Sequence, residues 1–309
     1  MFVSWIEKYF YNPGIFERLI SYVLYPISFL WCLFARIRRI LKKPVDYHIP
    51  IISIGNLTVG GSGKTPICIA IARKISKPAI VLRGYKRSSK GLVVVSRFGD
   101  ILCDVKTSGD EAMLYAKELK KALVIVSEDR VLGIQKAKEL GAQIVILDDG
   151  FGKVNIKKFD ILVSPNPSPA NTFCIPSGAY REGVSNYKNA DLVLKEDINF
   201  KRDVTILNET EKMILVTAIA NPSRLDKFLP AQVIAKRTFP DHYMFNKDEL
   251  KKILEQSGAK SILTTTKDAV KIEHFDLPLS ILKLDISLHN NVVEKIETYI
   301  SKRVLYNDE

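Results

Sequence analysis

An isoleucine-rich run, Ile51 to Ile54, leads into the stretch NLTVGGSGKTP (56–66), and no other feature restricts the fold of this 309-residue chain as tightly. A strand, a glycine-rich turn and a helix opening at Gly63, Lys64 and Thr65 form the layout that a triphosphate needs. Glycines let backbone N–H groups close around phosphates, the helix amino terminus adds its dipole, the lysine reaches the terminal phosphates, and the threonine hydroxyl meets a magnesium ion. Thr58 stands where such a loop usually has its first glycine, so the turn's freedom falls to Gly60 and Gly61. Pro66 is tolerated because the first helical turn has no N–H partner to lose. The nucleotide-facing set in this reading is Thr58, Val59, Gly60, Gly61, Ser62, Gly63, Lys64 and Thr65; the competing reading is a glycine turn without a ligand.

Beyond Pro44, short apolar runs alternate with amphipathic stretches: 51–54, 79–82, 93–95, 123–126, 144–147, 161–163 and 192–194. Uninterrupted runs such as IVIL predict strands buried on both faces, and DRVLGIQKAKEL predicts a helix. The fold class is α/β, a P-loop NTPase-like core with a mostly parallel sheet over residues 45–210. The polar stretch NFKRDVTILNETE (199–211) precedes a new strand at Met213 to Val216 and further βα units, ending in a helix after Asn291. This predicts a smaller second α/β lobe over residues 211–309. Hydrophobic residues make up 47% and charged residues 26%, which excludes wholesale disorder and a polytopic membrane protein.

Residues 1–44 are different. From Leu19 to Ala35 no residue is charged, which gives 17 positions, the lower limit for a helix crossing a bilayer. Ser21, Tyr25, Ser28 and Cys32 recur at helical spacing, a weakly polar stripe that suits an in-plane or protein-packed helix, and Pro26 kinks it. Arg36, Arg38, Arg39, Lys42 and Lys43 follow the apolar segment, the reverse of a cleavable signal peptide. Such a cluster attracts anionic lipid at about 1 kcal/mol per residue and holds that end in the cytoplasm. The expectation is an N-terminal membrane-associated helix, with a buried core helix as the alternative. The formal charge of +12 agrees with anionic partners. Four scattered cysteines without CxxC spacing predict a reducing compartment, and the four histidines show no zinc-ligand spacing.

A phosphate loop usually needs a carboxylate at the end of a neighbouring strand to hold the metal. IVILDDG supplies Asp148 and Asp149, 84 positions beyond Lys64, which makes Thr65, Asp148 and Asp149 the candidate magnesium set. TSGDEAMLYAKEL offers Asp110 at a helix start, where it can accept a hydroxyl proton, while Ser108 and Glu111 have the S-x-x-E spacing of a capping box. FPDHYMF sets His242 beside Asp241 in a loop, and PSGAYREGVS sets Arg181 and Glu182 in another, where an exposed ion pair is the default reading.

Together these motifs resemble the tetraacyldisaccharide 4'-kinase family of lipid A synthesis. The resemblance runs through IPIISIGNLTVGGSGKTP, RGYKR, GDEAMLYA, LDDGF, GAYREG, AIANPSRL, FPDHYMF and TTTKDAVK, in order from about residue 49 to 271, and includes the apolar N-terminal helix. Threonine in place of the first loop glycine is itself typical of that family. The resemblance implies transfer of the ATP γ-phosphate, with Mg²⁺, to the 4' hydroxyl of an acylated glucosamine disaccharide 1-phosphate at the cytoplasmic face of the bacterial inner membrane. By motif, Asp110 corresponds to the general base and His242 to its partner. Lys64, Thr65, Asp148 and Asp149 correspond to the nucleotide and metal set, and Glu182, Tyr85 and Arg130 to further site residues. Tyr243, Thr266 and Gly152 depart from the family pattern and carry no role.

The rival from another class is a membrane-associated P-loop GTPase or targeting switch. Guanine recognition asks for an N/T-K-x-D element, and the nearest stretches, NKDE at Asn246 and LKLD at Leu282, each miss one position. No aromatic-basic motif supports a nucleic-acid partner.

Overall fold

The computed structural model describes residues 2–60 and 63–305. In chain order the elements are α1 (Phe2–Tyr11), α2 (Ile15–Leu41), β1 (Ile51–Gly55), α3 (Lys64–Ala72), β2 (Pro78–Leu82), β3 (Val93–Arg97), β4 (Asp100–Ile101), α4 (Val105–Ser108) and α5 (Asp110–Glu118). They continue with β5 (Leu123–Val126), α6 (Arg130–Glu139), β6 (Ile144–Asp148), β7 (Phe159–Val163), β8 (Leu192–Leu194), β9 (Phe200–Leu207) and β10 (Met213–Thr217). The last are β11 (Val233–Thr238), α7 (Lys247–Ser257), β12 (Ser261–Thr265), α8 (Thr266–Ile272), β13 (Leu279–Leu288) and α9 (Asn290–Leu305). Every apolar run named from the sequence is a strand, and the architecture is α/β with mainly parallel pairing.

The chain divides into one unit of residues 1–64, 144–200 and 288–309 and another of residues 65–143 and 201–287. In the first, the strands run in the order β6-β1-β7-β8, all parallel. β1, β6 and most of β7 are fully buried, as uninterrupted apolar runs require. α9 is tied to the start of β1: the Ile51 N–H donates to the Tyr299 hydroxyl at 3.2 Å, and Arg303 pairs with Asp46 at 2.5 Å.

Helix α2 lies along the same unit. Glu17, Ser21, Ser28 and Ala35 form its buried face. The Ser21 hydroxyl donates to the Ser177 carbonyl at 2.6 Å, and Ser28 donates to the Ser177 hydroxyl at 2.8 Å while accepting the Ser177 N–H at 2.8 Å. The polar stripe therefore packs on the 173–182 loop, with Tyr25 against Phe173 at 4.8 Å between ring centroids. The opposite face exposes Phe16, Leu19, Val23, Ile27, Leu30 and Phe34. Cys32 is disulfide-bonded to Cys174, a pairing that the cysteine spacing does not predict; Cys68 and Cys103 are free. The two sulfurs meet because the stripe brings α2 onto that loop.

In the second unit, four strands run in the order β4-β3-β5-β2, with β2 and β5 parallel and β3 antiparallel to both its neighbours. A second sheet of order β11-β10-β12-β13-β9 packs Ile214, Val216 and Ile262 against Leu250 of α7 and Ile272 of α8. β9 is a strand within the polar stretch 199–211 that the sequence reads as a break. It alternates along an edge, so only one face is apolar.

Candidate active site

β1 and β6 are parallel neighbours with Ile54 opposite Asp148, so their carboxyl ends open side by side. Open α/β sheets bind ligands at such ends. Asn56 follows β1 and donates through Nδ2 to the Thr58 carbonyl at 2.8 Å, while its Oδ1 accepts from Lys64 Nζ at 2.9 Å. Thr58 is buried and bridged to Tyr180, and the Val59 N–H donates to the Ala179 carbonyl at 2.8 Å. The left-handed positions of the loop fall instead on Gly60 (φ 95°) and Gly63 (φ 71°), where a side chain is strained. Gly61 and Ser62 lie outside the described residues. Lys64 and Thr65 are the first two residues of α3.

Asp148 closes β6 and is buried; Asp149 follows with φ 53°, a conformation costly for a non-glycine residue. Asp149 Oδ1 is 3.5 Å from Lys64 Nζ and its Oδ2 accepts from Arg181 Nη1 at 3.0 Å. Partial burial pushes the Asp149 carboxyl up, but Lys64 and Arg181 beside it bring it below its ordinary value. Gly150 is required behind them, since a Cβ there lies 2.6 Å from the Leu147 Cβ and 2.9 Å from the Ser53 Cβ.

The expected exposed Arg181–Glu182 pair is not what forms. Arg181 turns to Asp149, whereas Glu182 is buried and accepts from Arg38 Nη2 at 3.2 Å, Arg39 Nη2 at 2.8 Å and Asn186 Nδ2 at 3.2 Å. Two guanidiniums from the basic end of α2 hold that carboxylate, and Arg181 has Asp149 as its partner.

The second unit holds the other candidates. Asp110 opens α5, and its carboxylate accepts from His242 Nδ1 at 2.9 Å, with the Glu111 N–H donating to Oδ1 at 3.0 Å. An ionised carboxylate only accepts, so Nδ1 carries the ring proton. His242 has φ 64° and sits edge-on to the Tyr85 ring, 5.3 Å between centroids. Lys267 Nζ lies 3.8 Å from Asp110, 3.8 Å from Glu111 and 3.3 Å from Asp241. Burial pushes the Asp110 carboxyl up; the His242 hydrogen bond and the Lys267 charge more than offset it, and the carboxyl ends below its ordinary value. The same carboxylates raise Lys267 against the effect of its burial.

The capping box is absent. Ser108 ends α4 and donates to the Asp104 carbonyl at 2.9 Å, and Gly109 (φ 84°) takes the cap position of α5. Glu111 is engaged with Lys267 instead. Arg130 opens α6, is buried, and donates through Nη1 to the Ser127 carbonyl at 2.7 Å. Asn246, in the stretch nearest a guanine-recognition element, caps α7 by accepting the Asp248 N–H at 2.8 Å.

The profile of the family described as tetraacyldisaccharide-1-P 4'-kinase (LpxK) matches residues 20–213 and 198–303. The chain belongs to this 4'-kinase family. It is 50% identical over 295 residues to the tetraacyldisaccharide 4'-kinase of Helicobacter pylori (strain ATCC 700392 / 26695), covering 96% of this chain and 94% of that one. It is 48% identical over 305 residues to the enzyme of the same name from Aliarcobacter butzleri, covering 96% of this chain and 97% of that one. A crystal structure of LpxK from Aquifex aeolicus in complex with ATP superposes with a TM-score of 0.76 at 27% identity, covering 91% of this chain and 99% of that one.

Within this 4'-kinase the sequence reading passed over Asn56, Lys271, Asp268 and the Arg38–Arg39 grip on Glu182. Lys267 and Lys271 recur one turn apart in TTTKDAVK, which was the available signal. Tyr243, a departure from the family pattern, stacks on Phe239 at 4.7 Å and bonds Glu249 through its hydroxyl at 3.2 Å, so its ring serves the core of the second sheet.

Proposed function

We infer that this chain is an ATP-dependent kinase that transfers the γ-phosphate to the 4' hydroxyl of an acylated glucosamine disaccharide 1-phosphate in lipid A synthesis. The observation that carries the reading is Asp110: a nearly buried carboxylate, held in its ionised form and gripped by His242, in a chain of this family with an intact Lys64 loop. Phosphoryl transfer asks a protein mainly for positioning and charge neutralisation. In this reading the loop from Thr58 to Thr65 cradles the triphosphate, and Lys64 leaves Asn56 and Asp149 to bind its terminal phosphates. Asp110 accepts the proton as the hydroxyl attacks, while His242 orients the carboxylate and Tyr85 steadies the imidazole. Arg130 and Glu182 complete the site residues, Glu182 as a fixed counter-charge to Arg38 and Arg39.

Thr65, Asp148 and Asp149 supply the oxygen donors that suit magnesium, which when bound with ATP neutralises phosphate charge. Among the described residues no three His, Cys, Asp or Glu side chains cluster as an all-protein cage. That fits an ion that takes most of its ligands from phosphates and water.

We further propose that the kinase works at the cytoplasmic face of the bacterial inner membrane, with the apolar face of α2 in the bilayer interface and its basic end on anionic lipid. Among the described residues one helix, Ile15–Leu41, is long and apolar enough, by length and composition, to cross a membrane. The hydrogen bonds of Ser21 and Ser28 along one face favour an in-plane helix over a spanning one. Residues 1–44, 45–210 and 211–309 then serve as membrane segment, kinase core and C-terminal lobe.

The test is phosphorylation of a tetraacylated disaccharide 1-phosphate by the purified chain with ATP or GTP, beside Lys64→Ala. Product at the 4' position with ATP, and its loss in the variant, is expected. Equal use of GTP, or wild-type turnover by Lys64→Ala, refutes the reading.

A further inference from the structure

Behind the Asp110–His242 pair lies a second layer of charge on α8. Lys271 has a side chain only 1% exposed. Its Nζ is 2.6 Å from Asp268 Oδ1, donates to the Tyr243 carbonyl at 3.3 Å, and lies 4.0 Å from Asp110 Oδ2. The Phe245 ring covers it at 5.2 Å. Asp268 is completely buried and immobilised: its Oδ2 accepts from the Thr217 hydroxyl at 2.8 Å, the Ala218 N–H at 3.0 Å and the Thr265 hydroxyl at 3.0 Å. One ammonium therefore reaches the carboxylate of Asp110, the backbone directly after His242, and an acid that cannot move.

We propose that Lys271 is a positioning residue for the phosphoryl transfer: it fixes the Asp110 carboxylate and the His242 loop in one arrangement by bracing both against Asp268. The proposal rests on the reading of Asp110 as the base. A buried ion pair is generally replaceable by apolar side chains at no loss of stability, so core stability gives little reason for a lysine here. The chemistry gives one. When Asp110 takes the hydroxyl proton its charge disappears, and an ammonium held by Asp110 alone would be stranded in the interior. Asp268 keeps Lys271 compensated throughout, so the brace holds before and after transfer. Lys267 differs, being 21% exposed and shared with Glu111 and Asp241.

Asp110 meets His242 from the loop before α7 and Lys267 and Lys271 from α8; next to these stand Glu111 and Asp241 on Lys267, Asp268 on Lys271, Tyr85 on His242, and Lys86, which bonds the Asp241 carbonyl at 3.3 Å. Removing Lys271 deletes one of the cations that stabilise ionised Asp110, so the acidic limb of the pH profile moves to higher pH. A lysine that merely pairs with Asp268 leaves that limb where it is.

The experiment measures kcat, KM for ATP and the pH dependence of kcat/KM from about pH 5 to 9, with thermal unfolding of each protein. Lys271→Met keeps the volume, and Lys271→Met with Asp268→Asn removes the stranded acid. Both variants are expected to lose about 10- to 100-fold in kcat, the scale of a misplacement near 1 Å, with KM for ATP within about threefold. Lys271→Arg, which keeps the charge, is expected to restore the position of the acidic limb. Folded variants with wild-type kcat and an unmoved limb overturn the proposal, as does failure of both methionine variants to fold, which makes the lysine structural. If wild-type protein in the same assay makes no 4'-phosphate, the kinase reading fails first and takes the proposal with it.

Discussion

Replacing Asp110 by Asn separates chemistry from stability more cleanly than any other change in this chain. The side chain keeps its shape, and the amide oxygen can still accept from His242 Nδ1, which now lies 2.9 Å from the carboxylate. Around it, Lys267 keeps Glu111 and Asp241 and Lys271 keeps Asp268 when the Asp110 charge is removed, so neither ammonium is stranded. The variant trades a charge-assisted hydrogen bond for a neutral one, a loss of about 1 kcal/mol, and is relieved of the burial of a carboxylate. Net stability should change by no more than about 1–2 kcal/mol, a few degrees in Tm. Turnover, in contrast, loses its proton acceptor. General base catalysis contributes roughly 10²- to 10⁴-fold, or about 2.7–5.5 kcal/mol in activation free energy. The assay is transfer of labelled γ-phosphate to the acylated disaccharide, run beside thermal unfolding of the same preparation. A kcat within about threefold of wild type refutes Asp110 as base; a large fall in Tm refutes the charge argument.

Three further outcomes follow from the geometry. His242→Ala should cost less turnover than Asp110→Ala and move the acidic limb of kcat/KM upward, because the hydrogen bond that holds the Asp110 carboxyl down is gone; an unshifted limb counts against the pairing. Ser28→Ala strips the buried Ser177 N–H of its acceptor and should lower stability by about 1–3 kcal/mol, read by denaturant unfolding in detergent; a neutral result means that α2 is not fixed through this contact. Asp46→Asn tests the tether to α9. Arg303 leads the groups that hold the Asp46 carboxyl far below its ordinary 3.8, so the tether's contribution is complete above that value and is lost as pH falls through the depressed folded pKa. The Tm gap between wild type and variant should hold from neutral pH down to about pH 5 and close only in stronger acid; closure between pH 7 and 5 contradicts the assignment.

Legibility in the sequence followed burial. Ile51–Gly55 and Ile144–Asp148 are strands with every residue buried, and an unbroken apolar run has few other ways to fold in a chain of this pattern. Phe200–Leu207 was hidden because it runs along a sheet edge: Val204 and Ile206 face the core while Lys201, Asp203 and Thr205 face solvent, and the polar half dominates the composition. Ser108 and Glu111 have the spacing of a cap, yet Ser108 already belongs to the preceding turn of helix and Glu111 has a lysine to meet. Local patterns are outbid wherever a distant partner offers a stronger contact.

The site divides along the same line. The phosphate loop was readable because it is local: Asn56 and Lys64 are eight positions apart, and backbone geometry does most of its work. Asp110 and His242 stand 132 residues apart and Arg39 and Glu182 stand 143 apart, so only a family pattern or the fold can join them. Two ammonium groups on one face of α8 are, on sequence grounds, solvated. The fold buries Lys271 and gives it two carboxylates and a carbonyl, and that enclosure turns an ordinary helix residue into a determinant of how the base behaves.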